Sequence, residues 1–158
     1  MSPAAPPPPL MRVPPPLLFA GTFLLGWLLQ RFVWPAGSAV ALGWTRITGM
    51  VLVAIGVLVS ASAVALFARA RTTLVPHGEA AHLIVTGPYR FTRNPMYVGL
   101  ASQFVGAALW SRTWLSLPLV LLPLLVLDRV VIPFEERQLR EHFGAEFDAM
   151  GARVRRWL

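Results

Sequence analysis

Ile47 to Phe67 is an apolar run broken only by Thr48, Ser60, Ser62 and glycines, with no charged residue and no proline. A run of that length matches a hydrocarbon layer about 30 Å thick. Where no water can satisfy the backbone, a helix bonds every N–H and C=O within itself. This requirement sets the fold class: an all-α integral membrane protein. Composition agrees, since 56% hydrophobic residues and a mean hydropathy of +0.61 are too apolar for an ordinary soluble domain.

Three further apolar segments follow from the same reasoning. Leu17 to Trp34 crosses if Gln30 and Arg31 snorkel to the far interface. Pro95 to Trp110 is shorter than a full crossing needs, and Ser111, Arg112 and Thr113 turn it back. Trp114 to Ile132 returns, with Pro118 and Pro123 bending it. The expected architecture is about four transmembrane helices, the last two a kinked hairpin. A C-terminal amphipathic helix over residues 134–157 should lie at the interface, with Leu139, Phe143, Phe147, Met150 and Val154 as its apolar stripe. Residues 1–16 read as a proline-rich tail that cannot be helical, and residues 17–158 as one domain. The first apolar segment lacks a clear cleavage site and reads as a retained helix rather than a secretory signal.

Charge narrows the function classes. The net charge of +7 comes entirely from arginine, and in so apolar a chain it suits anionic headgroups and topology better than nucleic acid. Arg12, Arg69, Arg71, Arg90, Arg93 and every arginine from Arg129 onward fall on one side of a four-span layout. By the positive-inside rule that side, with both termini, is cytoplasmic; the expected setting is a bacterial inner membrane. With no cysteine, the chain has no thiol nucleophile and no thiolate metal site. His77, Glu79 and His82 make no convincing ligand spacing, so no metal is expected.

The polar stretch from Thr72 to Asn94, with a possible short strand at Leu83 to Val85, carries the chemistry. Within residues 85–99, Gly87-Pro88 fixes a turn and Pro95 starts a helix, so the loop between them is held at both ends. Arg90 and Arg93 suit a carboxylate or phosphate, and Tyr89 and Tyr97 suit a ring or a hydrogen-bond acceptor. The same residues also fit interfacial anchors and an aromatic belt. Glu135 shares a helix face with Leu139 and Phe143, and a carboxylate on an apolar face needs a partner or a substrate. Glu136 is placed to pair with Arg140 one turn on. Asp128 lies too deep for a casual surface charge.

The segment Gly87-Pro88-Tyr89-Arg90-Phe91-Thr92-Arg93-Asn94-Pro95-Met96-Tyr97-Val98-Gly99 resembles the GPYRxxRHPxYxG signature of the isoprenylcysteine carboxyl methyltransferase and phospholipid methyltransferase superfamily. Glu135-Glu136-Arg137-Gln138-Leu139 followed by Phe143-Gly144 is similar to that family's EExxLxxxFG ending. The resemblance implies methyl transfer from S-adenosylmethionine, with S-adenosylhomocysteine as product, to a lipophilic acceptor entering from the bilayer. That acceptor is a prenylcysteine-type carboxylate or a related small lipophile, with a phospholipid headgroup nitrogen as the alternative. It further implies that Thr86, Gly87, Tyr89, Arg93, Asn94, Pro95, Tyr97 and Glu135 line the cofactor cleft, and that Glu135, Glu136 and Arg93 serve catalysis. This chain departs from the pattern at Asn94, where the family has histidine, so no imidazole titrates there. A non-catalytic protein that keeps the scaffold is the reading from another class.

Overall fold

The computed structural model describes residues 13–34, 43–69 and 83–158. The tail before Val13, the connection around Gly37 and the segment holding His77, Glu79 and His82 lie outside the described residues. The described chain is helical: α1 (Pro15–Val33), α2 (Gly43–Arg69), a 3₁₀ turn (Gly87–Arg90), α3 (Pro95–Ser111), α4 (Ser116–Leu119), α5 (Leu121–Val126), a π turn (Leu127–Val131), α6 (Ile132–Phe143) and α7 (Ala145–Arg153). Leu83 to Val85 form no strand.

Among the described residues three stretches are long and apolar enough to cross a membrane: α1, α2 and the continuous rod Ser116–Phe143 that joins α4 to α6. Their outer faces are apolar, with Leu24, Trp27, Phe32, Ile47, Leu58, Leu121 and Leu125 all exposed. Such a surface is stable only against lipid. At 17 residues α3 reaches about 25 Å, a little shorter than the 19-residue α1 and about three turns shorter than the 27-residue α2 and the 28-residue rod. It ends in a Schellman turn, with Arg112 at φ 58° and the Thr113 N–H donating to the Ala108 carbonyl at 2.8 Å.

Two boundaries differ from the sequence expectation, both at prolines. Pro15 and Pro16 are helical although the run Pro14 to Pro16 reads as tail, because a proline in the first turn gives up an N–H that has no intrahelical partner anyway. Pro133 does not separate a membrane helix from a terminal one. The helix runs through it, and the π turn just before it widens the backbone where the ring would otherwise meet a carbonyl one turn back. The break falls instead at Gly144, whose φ of 50° and ψ of −121° suit glycine alone. The helix expected over 134–157 is therefore α6, a turn and α7, which stops at Arg153.

The most extensive interface joins α2 to α3, and glycine makes it. Gly49 faces the Gly106 backbone and Gly56 faces the Gly99 backbone, so that a Cβ on any of the four would come within 2.5–2.7 Å of a partner carbonyl oxygen. Small residues let membrane helices touch main chain to main chain, which replaces the hydrophobic drive lipid does not supply. Ser102 reinforces the contact by donating to the Leu52 carbonyl at 2.8 Å. Gly49 and Gly56 thus pack within the chain. Gly106→Val is expected to destabilise the fold by about 2–3 kcal/mol, because backbone atoms cannot yield as a side chain would. Thermal unfolding in detergent checks this, with Gly21→Ala, where a Cβ meets nothing within 4 Å, as the neutral control.

The other end of α1 packs on the rod, with Gly26 against Ser116. Gln30, buried, accepts a hydrogen bond from the Leu115 N–H at 3.2 Å and so ties α1 to the start of the rod. Two buried clusters result among the described residues. One gathers Phe19, Tyr97, Phe104, Leu127, Val131 and Ile132; the other gathers Ala63, Tyr89 and Met150.

Candidate functional site

The signature loop leaves the second cluster and enters the first. Gly87, at φ 60°, turns the chain into the 3₁₀ turn, which buries Tyr89 edge-on against Phe67 of α2, with ring centroids 5.8 Å apart. Pro95 then opens α3 and points Tyr97 inward. On the opposing rod, Glu135 lies one turn beyond Ile132, and the Tyr97 phenol donates to its Oε1 at 2.7 Å. Burial pushes the Tyr89 phenol well above its ordinary pKa, and the Glu135 charge adds to that shift. Tyr89 is therefore neutral throughout the physiological range and offers an O–H donor and a ring face.

The neighbouring carboxylate has a different environment. Glu136 receives Arg93 Nη1 at 3.0 Å on Oε1 and Arg156 Nη2 at 2.7 Å on Oε2, and its side chain is only 13% exposed. Arg156 also reaches Asp128 at 3.4 Å, and the Trp157 indole donates to that same carboxylate at 3.0 Å. The pairing with Glu136 raises the Arg156 pKa further. Glu136 does not pair with Arg140 as its spacing suggests. Arg140 turns to Asp148 across the Gly144 break, at 2.9 Å, and lies over the Phe147 ring, while Glu136 faces inward to arginines from distant parts of the chain.

The adjacent glutamates are thus electrostatically distinct. Glu136 is neutralised by two guanidinium groups, whereas Glu135, half-buried, has no cationic partner among the described residues. Two polar atoms near them are buried without a hydrogen-bond partner among the described residues: Arg93 Nε and Gln138 Oε1, the latter one turn after Glu135. A carboxylate bonded to a phenol and without a countercharge among the described residues suits a cation, and an unsatisfied guanidinium N–H suits an anion.

Of the residues named from sequence, Tyr89, Tyr97 and Glu135 converge, and Arg93 and Glu136 adjoin them. Asn94 and Pro95 begin α3, but the Asn94 side chain turns toward the C-terminus and donates to the Arg156 carbonyl at 3.0 Å. Thr86 is exposed and Gly87 lies against Leu66. Thr92, Arg156 and Trp157 escaped sequence reasoning. The deep position of Asp128 was the available signal, since a carboxylate in that place requires donors, and Arg156 and Trp157 supply them.

The profile of the phospholipid methyltransferase family matches residues 44–146. Among curated proteins the chain is similar to a probable protein-S-isoprenylcysteine O-methyltransferase of Oryza sativa subsp. indica, at 33% identity over 108 residues, or 67% of this chain and 56% of the relative. Its counterpart from Oryza sativa subsp. japonica matches equally, at 33% identity over 67% of this chain and 56% of the relative. The chain therefore spans about half the length of the curated relatives it matches. No solved structure matches. With nearly all of α2, the signature loop, α3 and the glutamate pair inside the matched region, the chain belongs to the phospholipid methyltransferase family.

Proposed function

We propose that this protein transfers a methyl group from S-adenosylmethionine to a lipophilic acceptor at the membrane, a prenylcysteine-type carboxylate or a related small lipophile. The observation that carries this reading is Glu135: a half-buried carboxylate bonded to the Tyr97 phenol, near Tyr89, with Arg93 and Arg156 committed to Glu136 and Asp128. The cofactor carries a sulfonium and an ammonium, both cations, and a carboxylate. Glu135 and the two tyrosine rings fit the cations, and the unsatisfied Arg93 Nε fits the carboxylate. When bound, the cofactor supplies an already activated methyl group. The protein's share is to hold the donor in line with the acceptor and to exclude water, which α2, α3 and the rod do by enclosing the cluster in apolar side chains. A carboxylate acceptor needs no base.

The family profile favours a second reading, N-methylation of a phospholipid headgroup, and Glu135 would then also attract an ammonium acceptor. In either case α3 serves as a fourth, short span that completes a hairpin with the rod. The distribution of arginines supports a cytoplasmic signature loop by the positive-inside rule. Purified protein in lipid nanodiscs should bind S-adenosylhomocysteine in calorimetry. With methyl-labelled cofactor, it should label either a prenylcysteine analogue or an ethanolamine lipid. Absence of cofactor binding by folded protein would overturn both readings.

A further inference from the structure

The last residues of the chain are bonded to the signature loop through their main chain. The Arg93 N–H donates to the Arg155 carbonyl at 2.9 Å. Thr92 Oγ1 and Asn94 Nδ2 both donate to the Arg156 carbonyl, each at 3.0 Å, and Thr92 Oγ1 in turn accepts the Asn94 N–H at 3.1 Å. Thr92 is only 3% exposed, so these bonds are shielded from water. On its other side the same three-residue segment grips the rod, with the Arg156 guanidinium on Glu136 and Asp128 and the Trp157 indole on Asp128. Arg155–Trp157 is therefore a strap: its carbonyls fix the loop and its side chains fix the helix that carries the glutamate pair.

Asn94 is informative within this strap. It occupies the N-cap of α3, where an asparagine side chain ordinarily satisfies one of the helix's own N–H groups, yet it makes no such bond. The side chain is given to Arg156 instead. A carbonyl oxygen can only accept, so the Asn94 amide must present its NH₂ there, and the position calls for a hydrogen-bond donor. Asparagine meets that need, and so does the ring N–H of a neutral histidine, without any proton changing hands.

We propose that the C-terminal strap Arg155–Trp157 positions the signature loop, and that Asn94 serves the site as a donor to this strap rather than as a cofactor contact or a proton-transfer group. The proposal rests on the functional reading above only where ligand binding is measured; the strap itself is read without any ligand.

The test is hydrogen–deuterium exchange of the amides between Thr92 and Val98 in detergent, paired with S-adenosylhomocysteine calorimetry, for wild type, Asn94→Leu, Asn94→His and Arg156→Ala. Asn94→Leu should speed exchange in the loop by roughly tenfold and weaken binding by a similar factor, the size of one lost buried hydrogen bond, and Arg156→Ala, which keeps the carbonyl but frees the segment from Glu136 and Asp128, should speed exchange and weaken binding at least as much. Asn94→His should restore slow exchange, and its turnover-versus-pH profile should gain no inflection near the ordinary histidine pKa of about 6.5. Lost binding with wild-type exchange in Asn94→Leu would make Asn94 a ligand contact and overturn the proposal, as would a new inflection in Asn94→His. If wild type binds no S-adenosylhomocysteine, the functional reading fails, and exchange in the two loss variants still decides the strap.

Discussion

Glu135→Gln is expected to cost about 3 kcal/mol of affinity for S-adenosylhomocysteine, roughly 150-fold, while the folded protein becomes slightly more stable. The two effects have opposite signs because of what surrounds the residue. Its carboxylate accepts one hydrogen bond, from Tyr97, and has no countercharge among the described residues. A half-buried anion in that position is held against its own desolvation, which makes it a reserve of electrostatic energy for a cationic ligand. Glutamine keeps an oxygen for the Tyr97 hydroxyl and has nearly the same shape, so only the charge is removed. The gain in stability should be up to about 1 kcal/mol, limited by the partial exposure of the site. Calorimetry and thermal unfolding in one detergent measure both quantities. A variant that bound normally would dissociate Glu135 from the cofactor, and one that bound weakly because it melted early would reduce Glu135 to a structural role.

What the sequence discloses and what it hides divide along physical lines. The run Ile47 to Phe67 is legible because a membrane span is a local property of length and polarity, and α2 follows it closely. Tyr89, Tyr97 and Glu135 are legible as chemistry, since phenols and a carboxylate among apolar neighbours need a reason to be there. The prolines mislead in both directions. Their effect depends on position within a turn, which Pro15, Pro16 and Pro133 reveal only once the helix is built. Least legible are the long-range partners. Glu136 and Arg140 have ideal helix spacing, yet a pair one turn apart contributes only about 0.3–0.5 kcal/mol, too little to hold Glu136 against two arginines that meet it in a sheltered place. The bond from Asn94 to a backbone carbonyl leaves no trace in sequence at all, because every residue has a carbonyl.

Glu136→Ala is expected to destabilise the protein by about 2–4 kcal/mol, the largest loss of stability for any single carboxylate in the described chain. Its two oxygens hold Arg93 from the signature loop and Arg156 from the strap, with Arg93 and Glu136 side chains 17% and 13% exposed. Removing the carboxylate leaves two guanidinium groups facing each other across the gap, with Asp128 to answer only Arg156. Breaking one side of a sheltered ion pair is costly for this reason, whereas exposed pairs such as Arg140 with Asp148 are worth little. The melting temperature should fall sharply for Glu136→Ala and hardly move for Asp148→Ala. Glu136→Gln should lie between them, since an amide oxygen still accepts from one arginine while its NH₂ repels the other. Ligand affinity should fall too, but as a consequence: adding back lipid or lowering the temperature to restore the fold should restore binding to Glu136→Ala and leave Glu135→Gln defective. Two adjacent glutamates on one turn of helix, which have different partners in the structure, would then be separated by experiment, one holding the site together and the other, on the function proposed above, meeting the ligand.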